Sequence, residues 1–370
     1  MPHSDQDLQK FRSKLLGWFH RHQRDMPWRR TRDPYCIWLS EIMLQQTRVA
    51  AAIPYYERFL ETFPSVRALA GAEEEDVLRL WAGLGYYSRA RNLQRAAREI
   101  VERHGGEFPR DFAAALALPG IGNYTAAAIL SIAHGAPHAV LDGNVARVIA
   151  RLEAIRGDLR EGSRWRALQT SAGRLLDISH AGDWNQAMME LGATVCTPRA
   201  PNCAVCPVAE SCRARKLGLT ETLPEKRRKR APEKVHLAVA VFLDPAGKTI
   251  LFPPAKAASR KKEERNSELS ALFSRLWHFP AAAVRKDART ELRRHLQTVG
   301  GMQMISAAKL LPLPPLRHAV TYREITITAF VVRVKELPGA RTGRVLPMNK
   351  LHSLAVSGLT RKIARAALAR

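Results

Sequence analysis

The sequence has no hydrophobic run that approaches the roughly 18 residues needed to span a membrane. Its first residues, Met1 to Asp7, have neither the basic nor the apolar region of a secretory signal. We therefore expect a cytoplasmic protein with no membrane partner. Glycine and proline, at 22 residues each in a chain of 370, are too few for a collagen or a wholly disordered protein. The length instead predicts two globular domains.

Acidic residues are scarce, with 34 Asp and Glu against 59 Lys and Arg, which gives a formal net charge of +25. Such an excess is typical of proteins that bind a polyanion, because each neutralised phosphate releases condensed counterions. A membrane-surface protein would carry a basic amphipathic helix with a broad apolar face, and the sequence has no such helix. The charge therefore predicts a nucleic-acid partner.

Cysteine is also rare, and four of the five cysteines stand close together with the spacing C-x6-C-x2-C-x5-C. These four are Cys196, Cys203, Cys206 and Cys212. In a reducing compartment such a group predicts a metal site rather than disulfides. Zinc usually takes paired C-x2-C knuckles, and only one such pair is present, whereas four thiolates in a compact loop also suit a [4Fe–4S] cluster. The spacing alone leaves both metals open.

The hydrophobic pattern changes along the chain and predicts two kinds of domain. Helical spacing prevails over the first part, as in the apolar residues that recur from Leu8 to Phe19. Strand-like stretches appear only later, at residues 236–243, 249–252 and 325–328. We therefore expect an all-α domain that includes the cysteine loop 196–212, and a smaller α+β domain. The expected bounds are 1–225 for the first domain, 226–234 for a basic connector and 235–370 for the second domain.

A short glycine-containing turn, Leu118-Pro119-Gly120-Ile121-Gly122, separates two helical stretches. Its two glycines allow a tight turn that leaves backbone N–H groups free at a helix start, and such groups bind phosphate. A turn between two helices with no ligand would use the same glycines. Together with the positive charge, however, the turn predicts a hairpin that holds a DNA backbone.

Two carboxylates stand in unusual surroundings. Glu41 lies in the nearly apolar run from Ile37 to Leu44, so we expect it to be buried and its pKa to be raised, as in a general acid. Asp142 precedes Gly143 and a helical segment, a pattern that by itself fits a helix N-cap better than a catalytic role. One protonated and one ionised carboxyl group together can break a glycosidic bond through an oxocarbenium-like state.

These motifs together resemble the MutY family of adenine DNA glycosylases, which belongs to the helix-hairpin-helix superfamily and is related to endonuclease III. The resemblance covers residues 8 to about 225. It is carried by the hairpin, the four-cysteine loop and four further stretches: Ser40 to Thr47 (SEIMLQQT), Gly83 to Arg91 (GLGYYSRAR), Leu141 to Val145 (LDGNV) and Asn185 to Gly192 (NQAMMELG). The family implies that the metal is a [4Fe–4S] cluster.

The resemblance also implies roles for individual residues. Glu41 would protonate N7 of a flipped-out adenine, and Asp142 would stabilise the sugar cation. Tyr124 takes the place of the lysine that forms a Schiff base in bifunctional relatives, so little strand cleavage is expected. The pocket around Asp142 would be shaped by Tyr124 and Asn144, and the extruded base would be surrounded by Trp28, Arg29, Gln186 and Glu190. The gap left in the base stack would be filled by Gln46 and Tyr86. The DNA backbone would be contacted by Leu118, Gly120 and Gly122.

The second domain resembles the Nudix-like module that reads 8-oxoguanine opposite the adenine, through the stretch Leu276 to Pro280. It has no complete Nudix hydrolase motif, so no pyrophosphatase activity is expected. The family's damage-reading loop usually contains Phe-Ser-His, and here Thr321 and Tyr322 stand in its place. The sequence departs from the family's pattern here and at an insertion, residues 255–275, and both departures bear on the strength of 8-oxoguanine selectivity.

Three functions compete on this basis. The leading one is a monomeric, monofunctional glycosylase that acts on double-stranded DNA with an adenine mispaired with 8-oxoguanine or guanine, and that associates with the nucleoid if the source is bacterial. The second is a mismatch glycosylase for thymine or uracil, since related enzymes also have tyrosine at the lysine position. The third is a non-catalytic iron–sulfur DNA-binding protein, which predicts the loss of one carboxylate, although both are present.

Overall fold

The computed structural model describes residues 4–225, 231–253, 276–298, 308–320, 322–337 and 343–369. The basic run 226–230, the insertion 255–275 and Thr321 lie outside these residues. The chain divides into two compact units, Met1–Gly71 with Asn92–Arg228 and Ala72–Arg91 with Lys229–Arg370. This division places residues 72–91 with the C-terminal part of the chain, whereas the sequence predicts them in the first domain.

The described residues up to 225 are helical, as predicted. Their α-helices are α1 (Asp5–His22), α2 (Pro34–Leu44), α3 (Val49–Thr62), α4 (Val66–Gly71), α5 (Glu74–Trp81), α6 (Ser88–Arg103), α7 (Phe112–Ala117), α8 (Asn123–His134), α9 (Gly143–Glu153), α10 (Gly162–Leu175), α11 (Ala181–Thr194) and α12 (Arg213–Lys216). Short 3-10 helices occupy Pro27–Arg29, Ile178–His180 and Ala209–Ser211.

Local sequence signals explain where these helices begin and end. The Ser4 hydroxyl accepts a hydrogen bond from the Asp7 N–H at the start of α1, and the Asp33 carboxylate accepts one from the Tyr35 N–H at the start of α2. Helix α8 ends at His134 and is capped by Gly135, whose φ of 69° is in the left-handed region that favours glycine. Caps of this kind satisfy backbone groups that have no partner inside the helix.

The core of the first unit forms where α8 packs against α2 and α11, and where α11 also contacts α1 and α9. Helix α2 is apolar on nearly all sides and is buried from Ile37 to Met43. A helix that is hydrophobic all round belongs in the centre of a domain. The first turns of α8 and α9 are thereby brought to the same region as the middle of α2, and this region contains the candidate site.

The second unit contains a five-stranded mixed sheet in which β1 pairs in parallel with β6. Successive residues of β1, such as Val239 and Ala240, point to opposite faces and belong to separate hydrophobic clusters. Both faces of the sheet are therefore covered. Helix α13 (Ala288–Thr298) contributes to one cluster and α14 (Gly358–Leu368) to the other. The strands are β1 (Glu233–Leu243), β2 (Lys248–Leu251), β3 (Ala281–Ala283), β4 (Leu311–Pro312), β5 (Leu316–Val320), β6 (Arg323–Arg333) and β7 (Arg344–Pro347).

The predicted α+β character of this part of the chain is confirmed by these elements. Residues 72–91 join the unit through side-chain contacts: the Tyr87 hydroxyl donates to the Val356 carbonyl, and Arg344 forms an ion pair with Glu75. A 3-10 helix covers Met348–Ser353. Among the described residues of the whole chain, no helix is long and apolar enough to cross a membrane.

Candidate active site

The first unit contains a cavity of about 880 Å³ beside α2, α8 and α9. Both carboxylates singled out in the sequence line it, and so do most of the other predicted pocket residues. The predicted residues found in its wall are Trp28, Arg29, Glu41, Gln46, Tyr124, Asp142, Asn144, Gln186 and Glu190. A cavity of this size with a few convergent polar groups has the dimensions of a small-molecule binding site.

Glu41 is the acidic residue of this cavity with the most unusual surroundings. It lies in the middle of α2 and is buried. Burial raises the pKa of its carboxyl group to about 7, because desolvation disfavours the charged form. A hydrogen bond from Tyr124 and the charge of Arg29 oppose this rise, while the charge of Asp142 adds to it. Glu41 can therefore hold or release a proton near neutral pH.

Tyr124 reaches Glu41 from the first turn of α8. Its hydroxyl lies 2.7 Å from the Glu41 Oε2 and 3.2 Å from the Sδ of Met189 on α11. Burial, followed by the negative charges of Glu41 and Asp142, raises the pKa of Tyr124 well above its ordinary value. The phenol thus stays protonated and acts as a hydrogen-bond donor.

Asp142 is the N-cap of α9 and also lines the cavity, so both interpretations of this residue are compatible. Its Oδ1 accepts from the Val145 N–H at 2.7 Å, and its Oδ2 accepts from the Asn144 Nδ2 at 3.0 Å. Burial raises the pKa of Asp142, although these hydrogen bonds and the charge of Arg147 oppose the rise. The cap fixes the position of the carboxylate at the cavity wall.

Asn144 is held so that its amide N–H₂ group faces Asp142. The Arg147 Nη2 donates to its Oδ1 at 2.9 Å, and therefore the carbonyl side of the amide is already engaged. Arg147 also donates to the backbone carbonyls of Gly192 and Cys196. A Cβ at Gly192 would lie only 2.8 Å from the Asn144 Cβ, so a glycine is needed where α11 meets α9.

Glu190 also lines the cavity and lies between two arginines. Its carboxylate accepts from Arg24 at 2.7 and 2.8 Å and from Arg29 at 2.8 Å. Burial favours the neutral acid, but the hydrogen bonds from both guanidinium groups outweigh it and lower the pKa of Glu190. Arg24 was not identified from the sequence, since a single basic residue in a basic chain carries no signal of its own.

Two predicted stack-filling residues have strained backbones. Gln46 has a φ of 59° and Tyr86 a φ of 47°, and only two other non-glycine residues of the described chain have positive φ. Such conformations cost of order 1–3 kcal/mol and cluster at functional sites. Gln46 is exposed after the end of α2, while Tyr86, in the second unit, is 41% exposed. Arg89 supports the Tyr86 turn by donating to the carbonyls of Leu84 and Gly85.

The predicted hairpin lies between α7 and α8. Gly120 has a φ of 80°, and Leu118 is buried beneath the turn. The N-cap of α8 is Gly122, and no side chain caps this helix start. The backbone N–H groups of its first turn therefore have no side-chain cap and are open to water or to an anion. None of the three predicted backbone-contacting residues is among the described residues that line the 880 Å³ cavity.

The four clustered cysteines line one small cavity beside Arg151, and none of them forms a disulfide. Burial and the neighbouring thiols raise the pKa of Cys206 to about 11. Arg151 donates to the Cys196 Sγ at 3.2 Å. Within the described ranges, no three His, Cys, Asp or Glu side chains are grouped so that they could hold a metal ion.

The predicted lesion-reading residues belong to the second unit. Tyr322 is 37% exposed between β5 and β6, and the Arg323 guanidinium lies 5.4 Å from its ring centre. Its neighbour Thr321 is outside the described residues. The stretch from Leu276 to Pro280 lies within the unit and pairs through bridges of Trp277 with Val356 and of His278 with Phe252.

Comparisons with known proteins agree with the geometry of this site. Residues 39–169 match the family model of HhH-GPD superfamily base excision DNA repair proteins. A human adenine DNA glycosylase is 35% identical over 97% of this chain and 74% of its own length. A solved thermostable thymine-DNA glycosylase is 31% identical, with a TM-score of 0.53 over 57% of this chain and 97% of that one.

Endonuclease III in a complex with DNA shares the helical fold at 21% identity, with a TM-score of 0.50 over 58% of this chain and 98% of that one. The first unit therefore has the fold of this superfamily, as the sequence predicted. The human relative, in contrast, matches nearly the whole chain, including the second unit. The chain belongs to the adenine DNA glycosylase family, within the helix-hairpin-helix superfamily of base excision repair proteins.

Proposed function

We propose that this protein is a monofunctional DNA glycosylase that hydrolyses the N-glycosidic bond of adenine mispaired with 8-oxoguanine or guanine. The observation that carries the proposal is the presence of Glu41 and Asp142 in one cavity. Burial raises the pKa of Glu41 to about 7, whereas Asp142 accepts hydrogen bonds from Asn144 and from the Val145 N–H that favour its ionised form. Family membership supplies the adenine substrate. Among the described residues that line the cavity none is a lysine, which supports hydrolysis without a Schiff base.

Glu41 acts as the general acid of this reaction. It donates its proton to N7 of the adenine, which makes the base a neutral leaving group when the bond from N9 to the sugar breaks. Asp142 faces the positive charge that develops on the sugar, and its position as an N-cap keeps the carboxylate in place. Water then attacks the sugar cation, a proton is lost to solvent, and an abasic site remains. Asn144 orients Asp142, and Tyr124 holds Glu41.

Other residues that line the cavity hold the adenine. Glu190 stays ionised between Arg24 and Arg29 and can accept a hydrogen bond from the exocyclic amine of the base. Trp28, packed edge-on against Tyr56, offers a buried aromatic surface, and Gln186 lies in the same wall. Base flipping costs a few kcal/mol, and side chains that enter the vacated space offset part of it.

Gln46 and Tyr86 are the residues that enter the base stack. Their positive φ values are consistent with this role, because strained residues of this kind persist where function requires them. The hairpin at Leu118, Gly120 and Gly122 grips the DNA backbone through the free N–H groups at the start of α8. The protein acts as a monomer on double-stranded DNA in the cytoplasm, at the nucleoid if the source is bacterial.

The second domain is proposed to be a Nudix-like module that reads 8-oxoguanine, with bounds 235–370 after a basic connector at 226–234. Thr321 would supply a hydroxyl and Tyr322 an amphipathic contact to the damaged base. The exposure of Tyr322 beside Arg323 supports this role, since an aromatic ring backed by a cation can stack on a base.

The four cysteines are proposed to hold a [4Fe–4S] cluster. The thiols of Cys196, Cys203, Cys206 and Cys212 line a common cavity, and the family resemblance favours a cluster over the zinc ion that the spacing also allows. This donor set fits a cluster in which each thiolate binds a different iron. When bound, the cluster cross-links the loop and so orders it.

We expect the purified protein to contain about four iron and four sulfide ions per chain. Cys206→Ser should lose them together with the visible absorption band, since one of the four thiolates is missing. Cys36→Ser is the matched control, because Cys36 is half-buried on α2 outside the cysteine cavity, and it should keep the full content. One zinc per chain without sulfide would contradict the cluster.

Single-turnover base release tests the function. Duplexes with adenine opposite 8-oxoguanine, adenine opposite guanine and thymine opposite guanine are incubated with the protein, and abasic sites are revealed by alkali. We expect rapid adenine release, fastest opposite 8-oxoguanine, and strand cleavage only after alkali. The thymine duplex is included because of the similarity to a solved thymine-DNA glycosylase, and release of thymine alone would establish that alternative. No release with intact DNA binding would leave only a binding protein.

A further inference from the structure

The Tyr124 hydroxyl lies between two acceptors but has only one hydrogen to donate. The Glu41 Oε2 is 2.7 Å away, and the Met189 Sδ is 3.2 Å away on another helix. Methionine sulfur is a weak acceptor, so a carboxylate wins this competition whenever it is charged. The contact with Met189 therefore matters only when Glu41 is neutral.

Protonation of Glu41 rearranges these bonds. When its Oε2 takes up a proton from solvent, the new O–H can donate to the Tyr124 oxygen, and no proton needs to pass between the two side chains. The Tyr124 hydrogen must then turn away from Glu41. Leaving the hydrogen of this part-buried hydroxyl without an acceptor is costly, and the Met189 sulfur lies at hydrogen-bond distance. The sulfur thus stabilises one protonation state of Glu41 and has little effect on the other.

We propose that Met189 is a positioning residue for the acid: its sulfur accepts the Tyr124 hydrogen while Glu41 holds a proton, and so stabilises the protonated carboxyl group. This inference rests on the proposed role of Glu41 as general acid. It also explains how Tyr124 can hold the side chain of Glu41 without keeping it ionised. A hydroxyl that could donate only to Glu41 would favour the carboxylate, which is the form that cannot protonate a base.

Other groups also act on Glu41 and must be separated from this effect. The charge of Asp142 favours the protonated form, and that of Arg29 favours the ionised form. Met189→Leu leaves both of them in place and makes the wall more apolar, which by itself would raise the pKa of Glu41. Loss of the sulfur acceptor predicts the opposite sign. The remaining charged residues in the cavity wall are Arg24, Arg48 and Glu190.

The test is the pH profile of single-turnover adenine release from the duplex with adenine opposite 8-oxoguanine. For Met189→Leu we expect the alkaline limb of the profile to move to lower pH by roughly half a unit. At pH values above the pKa of Glu41 the rate should therefore be about threefold slower, and at pH values below this pKa it should change little. Met188→Leu is the matched control, because Met188 is buried on the same helix outside the cavity wall and should leave the limb in place. A uniform loss of rate at every pH would mean that Met189 only fills space.

The double variant Tyr124→Phe with Met189→Leu tests whether Met189 acts on Glu41 through the Tyr124 hydroxyl. Without the hydroxyl, the change at Met189 should no longer lower the pKa of Glu41, so the limb should match that of Tyr124→Phe alone or lie above it. An equal downward shift in both backgrounds would overturn the inference, and so would an unshifted or raised limb in Met189→Leu.

An infrared titration of the Glu41 carboxyl band, assigned by its loss in Glu41→Gln, measures the same pKa without catalysis. The Met189→Leu titration should show the downward shift even in a preparation that releases no base. A protein that shows the spectroscopic shift but no adenine release would contradict the proposed function and leave the hydrogen-bond switch standing. Adenine release without any shift in the infrared titration would support the proposed function and contradict the hydrogen-bond switch.

Discussion

Replacement of Glu41 by glutamine should lower the rate of adenine release by about 10²–10⁴-fold while DNA binding is retained. Glutamine has nearly the same shape, so it can still accept the hydrogen bond from Tyr124, but it has no acidic proton for N7. The measurement is single-turnover base release together with the dissociation constant for the same duplex. Unchanged turnover would remove Glu41 from the mechanism.

The pH dependence of the unmodified protein should agree with this role. Burial raises the pKa of Glu41 to about 7, so its carboxyl group is protonated below pH 7. The rate should fall as the pH rises through that value, because the carboxyl group then loses the proton that it donates. The pKa of Asp142 is also raised, and its ionised form is needed, so the rate should fall at the acidic end as well. The result is a bell-shaped profile whose two limbs belong to the coupled pair.

A matched glutamate on the surface controls for the loss of a charge. Glu99 on α6 pairs with Arg103 at 2.9 Å and is absent from the cavity wall. Glu99→Gln should therefore leave both base release and its pH profile unchanged, since an exposed helical ion pair contributes only a few tenths of a kcal/mol to folding. An equal loss of rate in this variant would mean that net charge, rather than the acid, limits the reaction.

Replacement of Asp142 by asparagine separates its two roles. Asparagine caps helices about as well as aspartate, so the Val145 N–H keeps its acceptor and stability should change by only a few tenths of a kcal/mol. The negative charge facing the sugar cation is lost, and the new amide opposes the Asn144 amide that now donates to Asp142. We expect base release to fall by about 10²–10³-fold.

The melting temperature and the single-turnover rate should be measured together for this variant. Asp111→Asn is the matched control, because Asp111 caps α7 through the Ala114 N–H and is exposed. It should change neither rate nor melting temperature appreciably. If Asp142→Asn destabilises the protein no more than Asp111→Asn and still releases adenine at the normal rate, Asp142 is a cap and nothing more.

Several features of the site followed from local patterns. The apolar run around Glu41 predicted a buried carboxyl group, and both its burial and its raised pKa are confirmed. Asp142 followed by Gly143 predicted a cap on α9, which is also confirmed. These inferences hold because helix caps and helical periodicity depend on residues a few positions apart.

Other features arise only from packing between helices. Arg24 and Arg29 hold Glu190 across more than 160 positions of sequence, and Met189 meets Tyr124 across 65. Arg147 similarly links Asn144 to the carbonyl of Gly192. Neither helical periodicity nor a capping pattern predicts such contacts, because each contact depends on how α11 packs against its neighbouring helices. The sequence could name the residues of a motif but not their partners.

The sequence by itself thus determined the helical first part, the strand-rich second part, the caps and the pair of carboxylates, since these depend on short-range order and on which side chains avoid water. Only the tertiary structure decided that Glu41 and Asp142 line one cavity, that a tyrosine with two acceptors stands beside the acid, and that residues 72–91 pack with the C-terminal unit. The physical reason is that pKa values and hydrogen-bond partners depend on distances set by packing of the whole unit, and such long-range contacts leave no local pattern in the chain.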